Sequence, residues 1–172
     1  YDTDFGLIYM RDLTPRDRLF FQIELFDSEN WDVYRMPDYT STTETKSDGE
    51  EFELGYLRRI SEPGDPFGFF IGPSVAAQDE DGTFETTEID SHSNTSFASG
   101  DVEPDTALNI YANAMADYTF KCNIGLFALF SYGYQFDRDY KWEYYTPTRQ
   151  TSETTSDAGT FWNFALGVTY GF

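Results

Sequence analysis

The last twelve residues constrain this chain more than any other stretch. Trp162, Phe164, Leu166, Val168, Tyr170 and Phe172 are large and apolar, and Asn163, Ala165, Gly167, Thr169 and Gly171 stand between them. A period of two is the period of a β-strand, so one face of this strand is greasy throughout and the other is small or polar. The chain closes on the aromatic Phe172 itself. A free carboxylate is costly in a packed core and easily solvated at a membrane surface. The greasy face is therefore expected to meet lipid.

This ending resembles the C-terminal signature of bacterial outer-membrane β-barrel proteins. Gly167, Tyr170 and Phe172 match that family's glycine and two aromatics, and Ala165 stands where a polar residue is usual. The resemblance covers a dozen residues. It implies a small barrel of the OmpA and OmpX type, in contact with outer-membrane lipid and lipopolysaccharide.

Alternation elsewhere points the same way. Residues 4–11 place Phe5, Leu7 and Tyr9 on one face, and residues 19–26 set Leu19, Phe21, Ile23 and Leu25 against Phe20, Gln22, Glu24 and Phe26. Residues 50–60 put Phe52, Leu54 and Tyr56 out and Glu53 and Gly55 in, and residues 67–75, 106–118 and 124–136 alternate likewise. Residues 31–39 are the least regular candidate. Turns are expected at residues 13–17, 27–30, 61–66 and 119–123, and long polar loops at 40–49, 76–105 and 137–160. The expected fold is all-β, one domain over residues 1–172: an antiparallel up-and-down transmembrane β-barrel of eight strands with long acidic extracellular loops. Both termini are then periplasmic. If residues 31–39 merely extend the preceding strand, the count is seven and a first strand precedes Tyr1.

Aromatics make up 19% of the chain, with 17 Phe and 13 Tyr. A barrel spends these on its lipid face and on girdles at both interfaces. Tyr140, Trp142, Tyr144 and Tyr145 suit the outer girdle, and Trp31, Phe67, Tyr118, Phe120, Tyr170 and Phe172 the periplasmic one. The net charge of −20 excludes nucleic acid as a partner, since phosphate neutralisation needs clustered Lys and Arg. No apolar run approaches the roughly 20 residues of a spanning helix. No charged-then-apolar leader opens the sequence, which therefore reads as a mature form or one whose true N-terminus lies upstream. Cys122 is the only cysteine, so no internal disulfide is expected.

Chemistry-bearing constellations are few. His92, the only histidine, sits in Asp90-Ser91-His92-Ser93, and a lipid-modifying enzyme would need it paired with a serine and an orienting group. Adjacency in a serine-rich stretch does not supply that geometry. Residues 76–105 carry nine acids and no Lys or Arg, and Asp79 and Asp81 are the candidate ligands for a divalent cation, calcium or magnesium. They lack the spacing and closing Glu of an EF-hand. No other cofactor is implied. Polar residues on the inner faces are expected to pair across a plugged lumen, with Arg59 a partner for Glu24 or Glu53. The expected role is non-catalytic: a structural or surface-interaction protein whose acidic loops meet cations or a protein of the cell envelope. The alternatives are an enzyme using His92 and a soluble lipocalin-like carrier of apolar ligands. In a lipocalin, though, the greasy face turns inward and the exterior is charged. The direction of Phe164, Leu166 and Val168 separates these readings.

Overall fold

The computed structural model describes residues 3–90, 92–120, 122, 124–146 and 149–170. Eight strands account for nearly all of them: β1 (Thr3–Asp12), β2 (Asp17–Met36), β3 (Tyr39–Arg59), β4 (Phe67–Asp90), β5 (Thr95–Pro104), β6 (Ala107–Thr119), β7 (Ile124–Thr146) and β8 (Arg149–Tyr170). They form one antiparallel sheet in up-and-down order, β1 to β2 to β3 to β4, then β5 and β6, then β7 and β8. No helix occurs among the described residues.

The count of eight is as expected, but the strands differ from those read in the sequence. Residues 27–30 are not a turn: β2 runs unbroken through Trp31 to Met36, paired with β3 down to Met36 opposite Tyr39. The expected third strand is therefore the second half of β2. The eighth arises elsewhere, where one stave is split in two. β5 lies between the distal halves of β4 and β7, with Gly82 opposite Val102 and Pro104 opposite Tyr140. β6 continues the same course between their proximal halves, with Phe67 opposite Tyr118 and Asn109 opposite Gln135. Pro104 has no N–H to give a ladder, and the chain slips there before Asp105 re-engages by donating its N–H to the Asp139 carbonyl at 2.8 Å. Counted as staves, the wall has seven.

The expected loops at 40–49, 76–105 and 137–160 are for the most part strand. β2, β3, β4, β7 and β8 run 20 to 24 residues each. The cause is physical: in these stretches both faces are polar, so no apolar alternation marks them, while Thr favours extended backbone on either face. The connections from β1 to β2, from β3 to β4 and from β6 to β7 lie at one end, the near end, together with the close of β8. Gly64, at φ 97°, makes the middle turn. Strand direction then corrects the expected placement of the termini. β1 runs toward the near end, as β8 does, so Thr3 lies away from it and not beside the C-terminus.

The sheet is curled, because side chains from distant staves meet inside it. Phe20, Leu57, Phe70, Met115 and Leu129 form a buried cluster against which Ile8, Met10, Phe127 and Ala165 pack. Five inward aromatic rings lie over the glycine directly opposite on the next strand: Phe20 over Gly55, Phe26 over Gly49, Phe84 over Gly100, Tyr111 over Gly133 and Phe127 over Gly167. A Cβ at Gly55 would stand 2.1 Å from the Phe20 ring, so only hydrogen fits. The outer face is apolar in a continuous band through Leu7, Phe21, Leu54, Phe69, Ile110, Phe130 and Leu166. Phe164, Leu166 and Val168 point outward, at 58%, 73% and 70% exposure. The band is bounded distally by the exposed acids Glu50, Asp79 and Asp137.

Candidate functional site

Inward residues build the interior in layers from the near end. At the bottom, Arg18 of β2 donates Nη1 to Asp117 of β6 at 2.7 Å and Nε to Asp12 at 2.6 Å, and its guanidinium lies 4.3 Å from the centre of the Phe70 ring. The apolar cluster around Phe20 and Leu57 closes the next level. Above it, Ser131 donates to Asn113 Oδ1 at 2.6 Å, Asn113 donates to Ser74 Oγ at 2.7 Å, and Ser74 donates to Glu53. One level higher, Glu51 accepts from Tyr111 at 2.7 Å and from Asn109 at 2.9 Å. At the top, Arg138 of β7 meets Glu80 of β4 at 2.7 Å. A bulge between Gln135 and Arg138 turns that guanidinium inward, with Phe136 and Asp137 both exposed.

Side chains therefore meet across the inward face of the curled sheet at each of these levels. The cations at these levels are Arg18 and Arg138, and the expected pairing of Arg59 with Glu24 or Glu53 does not occur. Arg59 instead serves the near-end turn, donating to the carbonyls of Asp65 at 2.8 Å and Phe67 at 3.0 Å. Glu51 and Glu53 are held by neutral donors and, among the described residues, form no ion pair. Alternation in residues 50–60 already placed them inside. The bulge that delivers Arg138 left no trace in the apolar pattern.

The second polar surface is the outward face beyond the apolar band. Asp79 and Asp81 are both exposed on one face of β4, opposite Glu50 and Asp48 of β3, and Asp48 in turn stands opposite Asp27 of β2. The two aspartates are thus neighbours in an acidic row, one carboxylate per strand position. Among the described residues, no three His, Cys, Asp or Glu side chains converge tightly enough to hold a metal ion. On the opposite, inward face of the same distal strands, Thr43 and Thr86 bond across at 3.0 Å, and Tyr39 donates to Glu88 at 2.6 Å.

His92 is exposed in the turn joining β4 to β5. Its backbone N–H and that of Asn94 each donate to Asp90 Oδ1 at 2.8 Å, and Asn94 Nδ2 donates to Asp90 Oδ2 at 2.8 Å. These bonds hold the Asp90 carboxyl below its ordinary range, the Asn94 side chain contributing most. Of the expected girdles, Phe67 and Tyr118 stack at 4.6 Å near the turns, and Tyr118 meets Phe120 edge-on at 4.8 Å. Trp31 does not join them, for β2 carries it far distally, opposite Glu44. The side chains of Tyr140, Trp142, Tyr144 and Tyr145, and Phe172, lie outside the described residues. Cys122 is exposed in a near-end turn.

The last site is a slot. β1 and β8 form no ladder with each other among the described residues, and between them opens a cavity of about 1070 Å³. Gly6, Ile8 and Met10 line one side, Asn163, Ala165 and Gly167 the other, and Gln22, Glu24 and Glu53 the floor. No known protein family matches this chain, and no curated protein is similar to it in sequence.

Proposed function

We propose that this chain is the wall of a small outer-membrane β-barrel, of the kind OmpA and OmpX represent, with a non-catalytic structural or surface-interaction role. The observation that carries the reading is the outward apolar band, seen most plainly at Phe164, Leu166 and Val168 of β8. Water would expose this surface at a cost of about 25 cal/mol for each Å² of it, and lipid removes that cost. The band spans Trp162 to Tyr170 on β8, close to the 9 to 11 tilted residues that cross a hydrocarbon layer. The inward face, by contrast, carries polar networks at Glu51, Glu53 and Arg138 above the apolar cluster at Phe20 and Leu57, the arrangement expected of a lipid-facing wall. In this orientation the near-end turns and the C-terminus face the periplasm, and the long distal strands stand out from the cell as an acidic palisade. That palisade gathers divalent cations diffusely, along the row of Asp27, Asp48 and Asp81, and offers a surface to an envelope partner.

The carrier reading fits less well, because the greasy face looks outward. A lipid-modifying role for His92 meets a distance: the strand from Val75, the last large apolar residue of the band on β4, to Asp90 is about 50 Å long at 3.3 Å per residue. Replacing His92 by Ala is expected to leave the lipid A acyl pattern of an expressing strain unchanged.

Fractionation tests the main reading. Expressed with a secretion signal in a Gram-negative host, the chain is expected in the detergent-extracted outer-membrane fraction, with bromine-labelled lipid tails quenching Trp162. Recovery from the aqueous periplasmic fraction without detergent would end the membrane reading.

A further inference from the structure

The two free edges of the sheet have a geometry that limits what can join them. β1 and β8 both run toward the near end, so they are parallel to each other in a sheet whose every pairing is antiparallel. Direct closure would insert a parallel seam. One further strand, running away from the near end, is antiparallel to both edges and leaves none. The edges invite it over roughly ten residues, the length of β1. Unpaired strand edges are templates for such addition whether the wall faces lipid or water.

A second copy of the chain does not meet these conditions. Rotation about the barrel axis sets β1 of one copy beside β8 of the next in parallel, and a two-fold across that axis reverses the ends. Fourteen staves would also enclose a lumen too wide for Arg18 to reach Asp117, which it does at 2.7 Å.

The floor of the slot says what the joining strand carries. Its charged lining holds Asp12, Glu24, Glu53 and Asp117 with the guanidinium of Arg18, which serves Asp12 and Asp117; Glu24 accepts from Gln22 Nε2 at 2.6 Å, and Glu53 accepts from Ser74 and forms no ion pair among the described residues. Gln22 is 7% exposed and lines the slot, and its Oε1 accepts no hydrogen bond among the described residues. A buried acceptor without a donor is unfavourable, so a donor is wanted there. Space for it exists. Gly6 stands opposite Glu24 on the inward side, where a Cβ would meet nothing closer than 3.4 Å, and Asn163 and Ala165 are small on the other edge.

We infer that the slot between β1 and β8 seats one β-strand from outside residues 1–172, antiparallel to both edges, with apolar residues outward and an inward lysine or arginine passing over Gly6. That side chain donates to Gln22 Oε1 and to the Glu53 carboxylate beside it. The apolar outward face of that strand rests on the membrane reading; its antiparallel seating and inward cation do not, and strand capture is measured in detergent solution whatever the cell fraction.

The test uses the 172-residue chain, carrying Cys122→Ser, folded in detergent micelles. The probes are fluorescent ten-residue peptides of alternating Leu and Thr, with Lys or Thr at the central inward position. The Lys peptide is expected to bind at least tenfold more tightly than the Thr peptide. Glu53→Gln with Gln22→Leu should erase that preference, and Gly6→Leu, which fills the space from the other strand, should weaken the Lys peptide alone. Each variant is first checked for its β-sheet circular dichroism. Single cysteines at Leu7 and at Leu166 should each form a disulfide with a peptide cysteine in the antiparallel register only. Equal affinity of the two peptides, absence of binding, or parallel trapping overturns the inference. So does a disulfide between Leu7→Cys and Leu166→Cys, within one chain or between two, because the edges would then close on themselves or on a second copy.

Discussion

Arg18 and Asp117 are separated by 99 residues in the chain and by 2.7 Å in the structure. Their pairing spans the interior from β2 to β6 and couples the N-terminal half of the sheet to the C-terminal half. Both side chains are only 15% exposed, so the pair is shielded and each charge depends on the other. Replacing Arg18 by Met leaves Asp117 inside without its cation and is expected to cost about 3–5 kcal/mol, read from urea unfolding in micelles. Adding Asp117→Leu to that variant should restore most of the loss. If the double variant is no more stable than the single one, the pair is not what joins the two halves.

The aromatic rings over glycines make a sharper claim on packing. Gly55→Val drives a side chain into the Phe20 ring and is expected to destabilise by about 1–3 kcal/mol. Phe20→Ala in the same chain opens the space and should relieve part of that strain, a non-additivity that a double-mutant cycle measures directly.

Like charges face one another across the distal wall, with Asp48 between Asp27 and Asp81. Same-sign pairs at this spacing are unfavourable by a few tenths of a kcal/mol each. Asp48→Lys is therefore expected to raise the unfolding midpoint at low ionic strength. Roughly 1 M salt, with a screening length near 3 Å, should abolish the difference. A gain that persists in high salt would assign the effect to something other than charge.

The turn at residues 90–94 has a pH signature. The Asp90 carboxyl titrates below its ordinary 3.8 because Asn94 and His92 donate to its charged form. A depressed carboxyl stabilises the fold above its unfolded value, and that contribution disappears as pH falls through the folded value. The backbone and side-chain amide resonances of Asn94 are therefore expected to show a titration step with a midpoint below 3.8. Asp90→Asn should remove that titration.

Much of the wall was legible residue by residue. Alternation placed Phe52, Leu54 and Tyr56 outside and Glu53 and Gly55 inside, because burial of one face and wetting of the other leave a period of two. The distal halves of the strands were not legible. Thr42, Thr43, Thr86 and Thr87 alternate between two wet faces, and nothing in their order separates strand from loop. Arg138 was hidden for a different reason, since a bulge shifts its phase and only the paired strand reveals the shift.

Gly167 joins the two kinds of information. In the sequence it belongs to an ending that resembles an outer-membrane signature, and the alternation about it determines a strand with one apolar face. Only the tertiary structure supplies its occupant, the ring of Phe127 on the neighbouring strand, which leaves no room for a Cβ. Strand period, facing and the inward placement of polar residues such as Glu53 follow from local chemistry, because each strand must sort its own side chains. Which strands meet, which guanidinium reaches which carboxylate, and that β1 and β8 remain parallel and unjoined depend on register and strand number. Those are properties of the assembled sheet, set by contacts between residues far apart in the chain.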